Sequence, residues 1–318
     1  MKRPFALHTI TLILIILSFR STALAGDRPT FLFLQHDVSA RAAAMAGSVV
    51  SMAAGPAGVF TNPATIGLDS IPLAEFGYTS HLLDINAGFA AYSQPFSSIG
   101  VMGFGIQYVN YGTFDQTDDL ANKLGTFTAG DLAASVTLSQ VYEENLFYGV
   151  TGKFIYSSIA DARSSAVAAD LGLLYLIPGN DPIALGVTIA NIGAQFDAYV
   201  DTREPLPLDI RIGGTIKPQH LPLQLNLNFH KLNEERTNFM DRFTVFTVGG
   251  EFTLSKALRF RFGYNNERRK ELKISSTSRL TGFTFGGGLV LKKLRLDYSY
   301  NAYGILGNVS RIAVAMDI

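Results

Sequence analysis

The chain has no cysteine and no tryptophan, and only 16% of its 318 residues are charged. Without cysteine there is no disulfide, no thiolate metal site and no acylated cysteine behind an export signal. The charged fraction falls well below the roughly 25% of an ordinary soluble domain. Nor is there a cationic excess. Lys and Arg total 26, against 26 Asp and Glu; setting aside Lys2, Arg3 and Arg20 of the N-terminal leader leaves 23 basic against 26 acidic. Nucleic-acid binders are normally basic, so no nucleic-acid partner is expected. Beyond residue 25 no apolar run approaches the ~20 residues that a membrane helix needs.

The leader itself is legible. Lys2 and Arg3 make a basic start, Ile10 to Leu17 a short apolar core, and Ala23-Leu24-Ala25 a small-residue cleavage site. This pattern predicts a secretory signal peptide over residues 1–25, with the mature chain starting at Gly26.

What fills the rest is alternation. In the last stretch Ile312, Val314, Met316 and Ile318 point one way, and Arg311, Ala313, Ala315 and Asp317 the other. A period of two marks a β-strand between two unlike environments. The pattern predicts strands near 73–80, 84–94, 100–111, 128–139, 146–160, 166–177, 183–192, 208–217, 223–230, 243–254, 258–265, 281–291, 293–300 and 308–318. The connections alternate between two kinds. Short ones lie at Pro95–Ile99, Gln140–Asn145, Pro178–Pro182, Pro218–Pro222, Ser255–Ala257 and Lys292. Mostly longer ones lie at Gly112–Phe127, Gly193–Pro207, Lys231–Arg242, Asn266–Leu280 and Asn301–Gly307. Outer-membrane barrels have brief periplasmic turns on one rim and long loops on the other. The expected fold is therefore all-β: a 14-stranded antiparallel transmembrane barrel over residues 71–318.

A soluble sandwich would show the same period. Three features favour a membrane wall. The polar face is rich in Gly, Ser, Thr and Asn, as at Gly103, Gly105, Asn226, Asn228, Gly282, Thr284 and Gly286. Its charges carry both signs, Lys153, Arg211, Arg259, Arg261, Arg295 and Arg311 against Asp131, Asp170, Asp209, Glu251, Asp297 and Asp317, and are expected to pair across the lumen. Tyr108, Tyr148, Tyr156, Tyr264, Tyr298 and Tyr300 sit near strand ends, where an interfacial girdle belongs.

Fourteen strands enclose more space than wall side chains alone can fill. The segment 26–70, rich in Ala, Gly, Ser and Met, shows no alternation. It is expected to enter from the periplasmic side as a plug, with a short helix in Ser39–Ala54 and a break at Pro63.

Candidate chemistry is sparse. His36, His81, His220 and His230 fall in separate regions with no metal-ligand spacing. No G-x-S-x-G is present, and Gly286-Gly287-Gly288 lacks the Lys-Ser/Thr of a phosphate loop. No enzymatic activity, metal or cofactor is expected. Asp118-Asp119 and the charge-dense Glu267-Arg268-Arg269-Lys270-Glu271 lie in outer loops. The residues taken as a candidate docking surface are Thr113, Phe114, Asp115, Asp118, Asp119, Arg268, Arg269 and Lys270.

Asn62-Pro63-Ala64, closing a run of small residues just before a fourteen-stranded barrel, resembles the N-terminal hatch motif of the long-chain fatty-acid transporter family FadL. Ser39-Ala40-Arg41-Ala42-Ala43-Ala44-Met45-Ala46-Gly47 resembles a pattern of the FadL-like PorV/PorQ family of type IX secretion. Tyr111–Asp131, Asp201–Gly213 and His220–Glu235 are similar to PorQ in particular. That resemblance implies an outer-membrane component that assists cargo attachment at the cell surface. Its partners would be attachment-complex proteins, secreted cargo, and outer-membrane lipid and lipopolysaccharide. The FadL resemblance implies the alternative, a transporter of hydrophobic small molecules, which requires an apolar pocket and an opening in the wall. The closing residue, Ile318, stands where many such barrels carry an aromatic.

Overall fold

A computed structural model describes residues 29–272 and 280–318. The leader 1–25, the first residues of the predicted plug (26–28) and positions 273–279 of one outer loop lie outside the described residues. Fourteen strands follow one another: β1 (Leu73–Ser80), β2 (Asn86–Phe96), β3 (Gly100–Thr117), β4 (Lys123–Glu143), β5 (Leu146–Ile159), β6 (Ala162–Ile177), β7 (Ile183–Asp197), β8 (Asp209–Ile216), β9 (Leu223–Phe229), β10 (Phe246–Thr253), β11 (Leu258–Asn265), β12 (Phe283–Leu291), β13 (Leu294–Ala302) and β14 (Asn308–Asp317). Each pairs antiparallel with the next. The ring closes where β1 meets β14, from Leu73 opposite Asp317 to Ser80 opposite Ser310. Closure leaves no strand edge in the wall proper.

The two faces sort as the alternation predicts, and burial decides which is which. On β14, Arg311 and Ala313 are 3% and 1% exposed while Ile312 is 56% exposed. On β5, Thr151, Lys153 and Ile155 are buried, whereas Val150 and Phe154 are open. Phe104, Ile106, Val136, Leu171, Leu227 and Phe260 continue the outer apolar belt. A soluble barrel hides its apolar face. This one hides Lys, Asp, Arg and Thr and presents Phe, Ile, Leu and Val outward, the arrangement hydrocarbon demands.

Three expectations need correction. Residues 112–127 are not a loop: β3 and β4 run on as a ribbon to a turn at 118–122. A register shift at Asn110–Thr113, where Gly112 has φ +86°, lets the ribbon leave the barrel curve. The helix expected within 39–54 is one short piece, α1 (Ala40–Ala44). It stops because Ala46 turns left-handed (φ 55°), and Gly47 N–H donates to Ala42 O (2.9 Å) while Ala46 N–H donates to Ala43 O (3.1 Å), a Schellman closure. The third concerns the outer loop after β11, which begins as a second helix, α2 (Asn266–Leu272).

The wall is uneven. Strands β3 to β7 are 14 to 21 residues long, against 7 to 10 for β8 to β14. On the tall side β7 carries one extra residue opposite Asp170. Asn191 takes φ 63° there, and its backbone N–H donates to Asp170 Oδ1 at 2.8 Å. Lys153 Nζ, 2.7 Å from Asp170 Oδ2 and 2.9 Å from Asn191 Oδ1, fills the bulge.

Candidate functional site

Residues 29–72 run against the inward face of the strands from one mouth to the other. Thr30 N–H donates to Pro205 O (3.0 Å) in the β7–β8 connection, and Phe31 packs on Tyr199 with ring centroids 6.4 Å apart. Phe33 and Leu34 pack with Val109, Ala133, Ile155 and Leu206. These partners lie toward the long-loop mouth. The segment therefore descends from the outer mouth to the start of β1, and the expected entry from the periplasmic side is reversed among the described residues. Phe31, Phe33 and Leu34 explain it. They are apolar and need a lining that the tall wall supplies.

Asn62-Pro63-Ala64 sits against the tall side of the wall, at β5 and β6. Asn62 is fully buried; its Nδ2 donates to Val50 O (2.7 Å) and Leu173 O (3.1 Å), and its Oδ1 accepts from Ala64 N–H (3.0 Å). Pro63 opens a 3₁₀ turn over Pro63–Leu68. The motif lies against Gly149 and Gly172, which face each other across β5 and β6. A Cβ at Gly172 would stand 2.1 Å from Asn62 Oδ1, and one at Gly149 would stand 2.4 Å from the Pro63 carbonyl carbon. Phe147, Leu174 and Leu176, the scattered inward apolar residues of the sequence, form the socket for Ala64 and Leu68.

Helix α1 is seated the same way. Thr284 Oγ1 donates to Ala44 O (2.8 Å) and Asn301 Nδ2 to Ala43 O (2.9 Å), and Gly286 leaves room for the Ala44 methyl. Arg41 holds Glu251 with two nitrogens, at 3.0 and 3.1 Å. From there charges run along the wall. Arg261 Nε meets Glu251 Oε2 (2.6 Å), Arg261 Nη1 meets Asp297 Oδ1 (2.7 Å), and Arg295 Nε meets Asp297 Oδ2 (2.7 Å). Ser39 Oγ donates to Glu75 Oε1 at 2.8 Å. The expected pairing across an open lumen gives way to pairing along the wall, within one strand or to a strand one or two places away, because the segment stands in the middle. Asp131 has hydroxyl partners instead of a cation, Tyr111 (2.6 Å) and Ser157.

Above the segment is a vestibule of about 530 Å³. Ala46, Gly47, Val49 and Val50 form part of its floor. Its walls carry Arg211, Lys231, Arg268 and Arg311 against Asp37, Asp209, Glu267 and Glu271. The cations are engaged: Arg211 on Asp209 (2.7 Å), Lys231 on Glu267 (2.8 Å), Arg268 over the Tyr303 ring (4.4 Å) and Arg311 on Asp37 O (3.0 Å). His36 and His81, 45 positions apart in sequence, meet here with ring centroids 5.7 Å apart. Burial first, and then the positive charge of Arg311, push both imidazoles down to about 4. Sequence spacing could not have paired them, because the contact depends on the segment's descent from the outer mouth. His230 Nε2 lies 2.9 Å from Thr247 Oγ1, whereas His220 is in a turn on the other rim.

The candidate docking residues divide into two groups. Thr113, Phe114, Asp115, Asp118 and Asp119 lie on or at the tip of the β3–β4 ribbon. Phe114 stacks on Phe127 (5.3 Å), Asp115 pairs with Lys123 (2.6 Å), and Asp118 accepts from Leu120 and Asn122 N–H to cap the turn. Thr113, Phe114, Asp115 and Asp119 are exposed, as are Leu120 and Leu124. Arg268, Arg269 and Lys270 are on α2. Arg268 lies over Tyr303, Arg269 lies 6.0 Å above the Phe283 ring, and Lys270 is exposed. The ribbon tip and α2 belong to different parts of the rim.

No protein-family model and no curated protein matches the chain. Solved structures do. The toluene transporter TbuX of Ralstonia pickettii is 12% identical with a TM-score of 0.59, over 87% of this chain and 97% of that one. The toluene transporter TodX of Pseudomonas putida is 12% identical at 0.58, over 88% and 96%. A FadL homologue of Pseudomonas aeruginosa is 10% identical at 0.51, over 88% and 98%. At such identities the likeness is one of fold. The chain has the architecture of a FadL-like barrel, a fold of bacterial outer-membrane proteins.

Proposed function

We propose that this chain is a non-enzymatic outer-membrane barrel that works by holding protein partners, as an attachment component of type IX secretion. What supports binding over conduction is the segment 29–72 lodged against the inward face of the strands. Asn62, Arg41 and the α1 carbonyls are bonded to the wall at β6, β10, β12 and β13, and on this reading the segment is a plug. The specific assignment to type IX secretion rests on the sequence resemblance. The quoted stretches also touch: Met45 Sδ in the Ser39–Gly47 stretch accepts from Asn226 Nδ2 of the His220–Glu235 stretch at 3.7 Å. Cargo or complex proteins would meet the exposed ribbon tip, with lipid and lipopolysaccharide around the belt. Affinity purification from outer membranes, followed by mass spectrometry, tests this reading. Secretion-system proteins should co-purify with the full chain and be lost on deletion of residues 112–123, with barrel insertion intact. Unchanged recovery after the deletion refutes ribbon docking.

A second reading has its own support. The structures similar in fold include two described as toluene transporters, and they favour a FadL-like carrier of hydrophobic small molecules more directly than they favour secretion. Val49, Val50, Val245 and Phe246 give the vestibule an apolar share. The Asn191 bulge is one interruption of the ladder at which such a barrel would open, and Lys153 and Asp170 fill it. Uptake of radiolabelled toluene by cells carrying the barrel separates the two: transport predicts uptake above empty-vector cells, and attachment predicts none.

A further inference from the structure

We propose that the periplasmic mouth binds a phosphate-type oxyanion. A pocket of about 370 Å³ opens beneath α1 and is lined by Arg41, Arg259, Arg261, Lys292, Lys293 and Arg295. Glu251 and Asp317 are on its wall, with Asp297 and Glu75 just behind. Six cations thus face four carboxylates. Arg41 and Arg261 occupy Glu251, and Arg261 and Arg295 occupy Asp297. Little remains for the others. Arg259 Nη1 donates only to the backbone oxygens of Ser255 and Leu258. Arg295 Nη2 is ion-paired with Glu75 Oε2 at 3.5 Å but is buried without a hydrogen bond. Lys292 and Lys293 are both exposed at the tight β12–β13 turn, where Lys292 takes φ 48°.

An excess of cations gathered at the lip of a cavity leaves a positive field there, which draws an anion. Guanidinium forks favour planar pairs of oxygens, and lysines add mobile point charges, a combination that suits phosphate. Arg259 and Arg295 point inward from β11 and β13, while the two lysines stand at the rim, so a ligand can approach along the lip. That geometry admits a phospholipid headgroup leaning over the rim or a soluble phosphate-bearing solute.

The test uses full-length barrel purified in a zwitterionic detergent. Inorganic pyrophosphate is titrated calorimetrically at constant ionic strength, and native mass spectrometry compares retention of phosphatidylglycerol and phosphatidylcholine. Saturable binding of pyrophosphate, or selective retention of phosphatidylglycerol, supports the site, and the arm that responds identifies the source. Lys292→Gln/Lys293→Gln and Arg259→Gln should each weaken binding about tenfold, as loss of a charge-assisted contact implies. Their ligand-free melting temperatures should stay near that of the parent, since these side chains make no ion pair with the buried network. Binding in neither arm, or binding undiminished in both variants, overturns the proposal.

Discussion

Asn62 shows how much one side chain can fix. Replacing it with Ala removes the donor to the buried Val50 carbonyl and to Leu173 O, and an orphaned buried acceptor costs roughly 1–3 kcal/mol. Asn62→Ala should lower the urea midpoint of the detergent-solubilised barrel and speed proteolysis of the luminal segment. Gly172→Ala should do the same by a clash, since the new methyl meets Asn62 Oδ1 at 2.1 Å. Gly152→Ala is the control: it faces outward with nothing within 4 Å, and its midpoint should stay put. The histidine pair makes a pH prediction. In the unfolded chain both imidazoles titrate near 6.5 and in the fold near 4. Between those values the unfolded chain binds more protons, so stability is complete above about pH 6.5 and falls as pH drops toward 4. His36 is exposed on the vestibule and His81 half-buried, so solvent screens much of the His36 share and His81 is expected to carry most of the effect. Urea midpoints at pH 7.5 and 4.5 should differ less in His36→Gln/His81→Gln than in the parent; an identical difference would rule out the pair as the source.

At the scale of elements, the alternation revealed most of the wall. Strand limits such as 73–80 and 258–265 match because a strand between lipid and a polar interior must change character at every residue. The ribbon from Gly112 to Phe127 was illegible for the same reason. Above the membrane both of its faces meet water, so no face needs to be apolar and the period vanishes. The Asn62 motif could be read as a motif, but its seat could not. Gly149 and Gly172 look like any strand glycines until the register puts them opposite each other. The bulge at Asn191 also left no periodic trace, and its importance is local. Lys153→Met would strand Asp170, fully buried, without its cation. Breaking such a pair costs about 3–5 kcal/mol. Unfolding of this variant should therefore occur at clearly lower urea than the parent, and Lys153→Met/Asp170→Leu should recover much of the loss.

For the whole molecule, the absence of cysteine is an experimental gift. Leu32→Cys, 53% exposed near the outer mouth, should react with an impermeant maleimide added to intact cells. Ile71→Cys, 44% exposed at the other end, should react only after the outer membrane is permeabilised. The reverse pattern would invert the barrel and with it the reading of both mouths. The belt of Phe, Ile and Leu makes a further demand: without its leader, the chain should need detergent to remain monodisperse.

The seam between β1 and β14 has a consequence for biogenesis. Those strands lie at opposite ends of the cylinder's sequence, so their zipper can form only after everything between them exists. Until that seam closes, the bore's occupant, residues 29–72 upstream of β1, has no complete cylinder around it. A chain truncated before β14 should leave that occupant open to added protease.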